Sequence, residues 1–199
     1  QGPDILQDLF GNYVTGDLRT AGASGEAVER LMDRSDPDIA ERFQEIEPAW
    51  RASQFTGYGE AVKLIAKNVY GLEELTADGL SAAQGRVADL QVPGERYRLL
   101  HDVANLDQVQ TDDGRWECPP DDSGRDFFLY DLSWRSFCCG DIDVQAIHTE
   151  TNIEVTDLPS LRCAMEAIFA KHGPCAIAVK SQHAYSRTLR WVERSDAEA

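Results

Sequence analysis

The sequence predicts an α/β fold in which a helical first half leads into two or three parallel strands separated by helices. Two observations predict it. From residue 4 to about residue 104, apolar side chains recur at steps of three and four, the period of one helix face. Beyond that point they gather into short runs, Phe127 to Leu132 and Cys175 to Val179, with a helical pattern between them. Strands that alternate with helices build βαβ units and a parallel sheet. The run from Cys175 to Val179 follows Gly173-Pro174 and is too short for a helix. It is also too continuous for a half-exposed strand, so it reads as a buried parallel strand. Lys180, His183, Tyr185 and Arg187 follow where the run stops. Functional groups of parallel α/β proteins collect at the carboxyl ends of strands, which makes this stretch the candidate site.

Taken in order, Ile5, Leu6, Leu9, Phe10, Tyr13, Val14 and Leu18 predict one amphipathic helix over 4–22, stopped at Ala21-Gly22. Val28, Leu31 and Met32 mark a short helix from Gly25 to about Arg34. Asp36-Pro37 reads as an N-cap with proline in the first turn, ahead of a helix that buries Ile39, Phe43, Ile46 and Trp50. Gly57-Tyr58-Gly59 breaks the pattern, and Val62, Ile65 and Val69 restart it until Tyr70-Gly71. A weaker helix over 78–90 carries Gly79 and Gly85, and a short one over 95–104 feeds a strand at 106–110. Residues 111–126 form a polar, turn-rich loop. Phe127 to Leu132 is a strand, supported by its aromatic density. Residues 133–156 read as irregular, with an extended piece at Val144 to His148. A helix over 158–171 buries Leu161, Met165, Ile168 and Phe169. The tail from Glu193 reads as the start of a further helix, and with Gln1 in place of a methionine this suggests a trimmed or incomplete chain.

The 35 acidic and 19 basic residues among 199 give a formal charge of −16, which disfavours nucleic acid and anionic membranes as partners. Solubility is the plainer meaning of that charge. Hydrophobic content of 42% is enough for a core, and no apolar run reaches the length of a membrane span. The odd set Cys118, Cys138, Cys139, Cys163 and Cys175 contains no C-x-x-C pair, which fits reduced thiols in a cytoplasmic protein. There is no signal peptide pattern.

Three segments carry a likeness to a known family: Leu9-Phe-Gly-Asn-Tyr-Val-Thr-Gly-Asp-Leu-Arg-Thr-Ala-Gly22; Trp50-Arg51 with Thr56-Gly-Tyr-Gly-Glu-Ala-Val62 and Tyr70-Gly71; and Val179-Lys-Ser-Gln-His-Ala-Tyr-Ser-Arg-Thr-Leu-Arg-Trp191. In these the chain resembles the amidohydrolase superfamily of metal-dependent hydrolases, in particular its uronate-isomerase-like branch. The resemblance implies a partial (β/α)8 TIM-type barrel with a large N-terminal helical insertion. Residues 1–105 would be the insertion and 106–199 the barrel segment holding strands two to four, together one incomplete domain. It implies a divalent metal, zinc or manganese, and a small, carboxylate-bearing substrate. It also implies a homo-oligomer or a complementary chain.

The family's His-x-His pair is absent, since His101, His148, His172 and His183 stand apart. The remaining ligands would come from outside these residues. Lys180 falls where the family carries a carbamylated metal-bridging lysine. An ammonium repels divalent cations, whereas a carbamate is an anionic, two-oxygen ligand. A strand-end lysine that reaches solvent or pairs with an acid is the alternative. His183 and Tyr185 would take catalytic or substrate roles, against a solvated loop position for His183. Arg187 would hold the substrate carboxylate, against a surface ion pair. Arg51 and Tyr58 would contact substrate from the insertion, against an ion pair and core packing. A non-catalytic homologue that serves as an interaction subunit is the alternative function.

Overall fold

In a computed structural model, which describes residues 3–198, the chain divides into two compact units, Gln1–Ala104 and Asn105–Ala199. The first is helical throughout: α1 (Ile5–Phe10), α2 (Val14–Thr20), α3 (Gly25–Leu31), α4 (Ile39–Ser53), α5 (Gly57–Tyr70), α6 (Ala77–Ala83) and, after a 3-10 segment over Gln84–Gln91, α7 (Glu95–Arg98), which runs into a π-turn over Leu99–Val103. The predicted helix over 4–22 is two helices. The side chain of Asn12 donates to the Leu9 carbonyl at 2.9 Å and accepts from the Val14 amide at 2.9 Å, so a local side-chain bond replaces the helical ladder there. The cap of α4 is Asp38, whose carboxylate accepts from the Glu41 amide at 2.9 Å, rather than Asp36. Gly57-Tyr58-Gly59 does not break a helix but begins α5, capped by the Thr56 hydroxyl.

One apolar cluster fills this unit. Phe10 packs against Phe43 and meets Trp50 edge-on at 5.5 Å between ring centroids, while Ile5, Leu6, Leu9, Leu31, Ile46 and Leu80 are fully buried around them. Side chains of this size contribute about 1.5–3 kcal/mol each on burial. One ion pair lies among them. The buried Arg42 guanidinium donates to the Asp4 carboxylate at 2.7 Å and to the carbonyls of Arg30, Leu31 and Asp36, which ties α1, α3 and α4 together.

The second unit holds β1 (Val109–Thr111), β2 (Phe128–Ser133), α8 (Arg135–Cys139), α9 (Val144–Thr151), α10 (Leu158–His172) and β3 (Ala178–Lys180). The strands form one parallel sheet in the order β1-β2-β3, with Val109 opposite Phe128 and Ser133 opposite Lys180. This overturns the expected (β/α)8 barrel. The structure is 55% helical with three short strands, and among the described residues the sheet stays open at both edges. Two local expectations fail as well. Val144 to His148 is helical, because the Asp143 carboxylate caps α9 by accepting from the Gln145 and Ala146 amides. The run from Cys175 to Val179 is not buried: it starts as a 3-10 turn over Gly173–Cys175, and Ile177, just before β3, and Val179, on that edge strand, are exposed. The tail from Glu193 makes a turn, not a helix. None of the helices, among the described residues, is long and apolar enough to cross a membrane.

The small core of this unit, centred on Ile147, Ala164 and Ile168, joins α9 to α10. A charged link closes the same pair. One Glu150 oxygen accepts from Lys171 Nζ at 2.6 Å and lies 2.6 Å from His172 Nε2. The Lys171 ammonium, helped by His172, holds the Glu150 carboxyl below the usual carboxylate range. A carboxyl depressed in the folded state stabilises fully above its unfolded value of about 4.3, and that contribution is lost as pH falls below it. Glu150→Gln is therefore expected to lower stability in urea unfolding slightly at about pH 6, by about 1 kcal/mol or less because the Lys171 end of the link is exposed, and to lower it less at about pH 3.5.

Candidate functional site

Because the three strands are parallel, their carboxyl ends face one side, and the candidate residues are built from there. Asp112 directly follows β1, Trp134 follows β2, and Lys180 ends β3. The Trp134 amide donates to the Lys180 carbonyl at 2.7 Å, which fixes the two strand ends together. Lys180 Nζ lies 3.7 Å from the nearly buried carboxylate of Asp112, whose other oxygen accepts from the Gly114 amide at 2.8 Å. The alternative reading of Lys180, a strand-end lysine paired with an acid, thus has its partner in Asp112. Asp131 is also buried, on β2, where Gln110 donates to both of its carboxylate oxygens.

Past β3 the chain enters a 3-10 turn over His183–Tyr185. His183 is only 9% exposed. Its Nδ1 lies 3.1 Å from the Ser181 hydroxyl, and its ring makes a T-shaped contact with Trp191 at 4.9 Å. Its buried Nε2 has no hydrogen-bond partner among the described residues. Such an atom costs about 1–3 kcal/mol when left unmet, so it is poised for a partner. Arg187 donates one N–H to the Cys138 carbonyl at 3.1 Å, and its guanidinium lies 5.7 Å from the Trp191 ring centre. The Ser186 hydroxyl donates to Cys139 Sγ at 3.2 Å, so the end of α8 anchors this turn from both residues. Burial pushes the Cys138 thiol up, which disfavours a nucleophilic thiolate.

Lys180, His183, Tyr185 and Arg187 therefore share one strand end and the turn behind it, with Tyr185 83% exposed. Arg51 and Tyr58 belong to the first unit. Arg51 donates twice to Glu47 one helical turn away, and the Tyr58 ring lies 5.5 Å from that of Tyr13 on the surface. These match the surface-pair reading of Arg51 but not the core-packing reading of Tyr58, which is half exposed.

For a divalent metal, the donor set is short: among the described residues no three His, Cys, Asp or Glu side chains come together. Lys180 with Asp112 alone does not fit such an ion. Asp112 and Trp191 are the residues that the sequence did not single out. The sequence predicts a strand over 106–110, whereas β1 ends at Thr111, which puts the acid Asp112 at a strand end. Compared with protein families, curated proteins and solved structures, the chain matches none.

Proposed function

We propose that the second unit works in a hydrolase or isomerase of the amidohydrolase type on a small, carboxylate-bearing substrate. The observation that carries this reading is the unpartnered, buried Nε2 of His183 in the turn that follows a parallel strand end. Imidazole is the side chain suited to proton transfer near neutral pH. Arg187 supports the reading: a guanidinium has five N–H donors, and the Cys138 carbonyl takes one. The rest of the fork matches a carboxylate in shape and charge. In this reading Arg187 grips the substrate carboxylate, His183 moves a proton, and Tyr185 offers a hydroxyl from the open side. Lys180, paired with Asp112, lies at the same strand end.

Calorimetric titration of the purified full-length protein with a hexuronate and with succinate tests the reading. Saturable binding is expected, with Arg187→Lys raising Kd about tenfold, because a point charge replaces a two-pronged donor. His183→Gln is expected to leave Kd within about twofold and to abolish turnover. Failure of both acids to give a saturable heat would sink the proposal. Elemental analysis of the same sample decides the metal-dependent form: stoichiometric zinc or manganese supports it, and no metal together with no activity on added zinc or manganese rejects it.

A second reading, an interaction subunit without catalysis, is favoured by one observation. Ile177, Val179, Phe169 and Leu189 of this unit are exposed to solvent. A chain that stays a monodisperse, cooperatively unfolding monomer in light scattering would count against it.

A further inference from the structure

The outer edge of β3 carries features that the strand-end chemistry leaves unused. Since the Lys180 carbonyl accepts from Trp134, the backbone of Lys180 faces β2. Successive residues of a strand turn their N–H and C=O groups to opposite edges. Val179 therefore turns both of its groups away from β2. As β3 is last in the strand order, neither group has a partner among the described residues.

Beside this edge lies a groove of about 360 Å³ lined by Trp134, Met165, Glu166, Phe169, Ala170 and Val179. Its walls are almost wholly apolar, and they are open: Val179 is 52% and Phe169 51% exposed. Trp134 meets Phe169 edge-on at 6.1 Å, which gives the groove a firm aromatic wall. Glu166 is the one charge lining the groove, and no ion pair to it is formed among the described residues.

We propose that this groove is the docking site of a basic polypeptide strand, which adds to β3 through the N–H and C=O of Val179. Apolar residues at its alternate positions would enter the groove, and a lysine or arginine would meet Glu166. The backbone edge selects the occupant. An unpaired strand edge is a template for another strand, whose pairing brings every second side chain to one face. A small apolar molecule could fill the groove but would leave both Val179 groups unmet. A second copy of this chain brings a formal charge of −16 against an equal charge, whereas a basic strand complements it. The site does not depend on catalysis at His183, and its test uses no small carboxylate, so either proposal can fail without the other.

The test titrates the full chain with the end-blocked peptide Lys-Thr-Val-Thr-Val-Thr-Lys, whose valines and lysines share one face, and follows the Val179 amide by NMR. Saturable one-to-one binding below about 100 μM is expected, with exchange of the Val179 amide slowed in the complex. Val179→Pro removes the outward N–H, along with the valine side chain, and is tolerated at such an edge, so it is expected to weaken binding at least about tenfold. Val179→Thr keeps the N–H and the branched shape and should stay within about threefold of the parent. Glu166→Lys should weaken binding about tenfold, and a peptide with glutamate in place of each lysine should not bind. No saturation by about 1 mM would overturn the proposal. So would unchanged affinity in both Val179→Pro and Glu166→Lys, or occupation of the Val179 edge by self-association of the chain.

Discussion

Asp4→Ala is expected to destabilise the helical unit by about 3–5 kcal/mol, the loss found when one partner of a buried ion pair is removed. Arg42 is fully buried, and among the described residues Asp4 is the carboxylate that forms an ion pair with it, at 2.7 Å. Its other hydrogen bonds go to the carbonyls of Arg30, Leu31 and Asp36, which satisfy donors but do not neutralise the charge. The substitution also strips the cap from α1, because the second Asp4 oxygen accepts from the Gln7 amide at 3.0 Å, and such caps contribute about 1 kcal/mol. Two controls separate these effects. Asp4→Asn keeps the cap acceptor and loses the charge, so it should fall between the parent and Asp4→Ala. Asp4→Ala combined with Arg42→Met removes the stranded charge and should recover much of the loss, since an apolar replacement of a whole buried pair is often close to neutral. Urea unfolding followed by helical circular dichroism reads all three. A loss below about 1 kcal/mol for Asp4→Ala would mean that the pair is solvated in solution.

How much of this was legible in the residues differs between the units. Long stretches with apolar positions three and four apart, such as Ile39, Phe43, Ile46 and Trp50, leave little alternative to a buried helix face, and α4 and α5 follow that pattern. Short elements carry no such redundancy. Val144, Ile147, Thr149 and Thr151 favour strands by propensity, yet the cap supplied by Asp143 and the burial of Ile147 make α9. Helix-strand alternation was enough to indicate a parallel sheet but not how many strands it holds, and the barrel expected from the family likeness is not formed. At the site, the position of Lys180, His183 and Arg187 could be read from the apolar run before them. Their surroundings could not. Asp112 reaches Lys180, and Trp191 reaches His183 and Arg187, through loops whose closure leaves no period in the sequence.

The glycines around Tyr58 show the same limit and give the second large prediction. In sequence they are two equivalent interruptions, but in the structure they are not equivalent. A Cβ on Gly57 would meet nothing within 4 Å, whereas one on Gly59 would lie 2.6 Å from the Ser53 carbonyl oxygen and 2.8 Å from Gln54 Cα. Those are backbone atoms at the end of α4, so no side-chain rotation relieves the clash; the first turn of α5 must move off α4. That turn also carries the Thr56 cap, whose hydroxyl accepts from the Gly59 amide at 3.1 Å and donates to Asp17 on α2. Gly59→Ala is thus expected to cost about 1–3 kcal/mol, the range for overpacked sites, and to disturb the α2–α5 contact with it. Gly57→Ala is expected to stabilise by about 0.4–1 kcal/mol, because a helical position with free space gains from a stiffer unfolded chain. Thermal unfolding of the two variants side by side should move the midpoint in opposite directions. Equal shifts would mean that the close approach of α5 to the end of α4 is not present in solution.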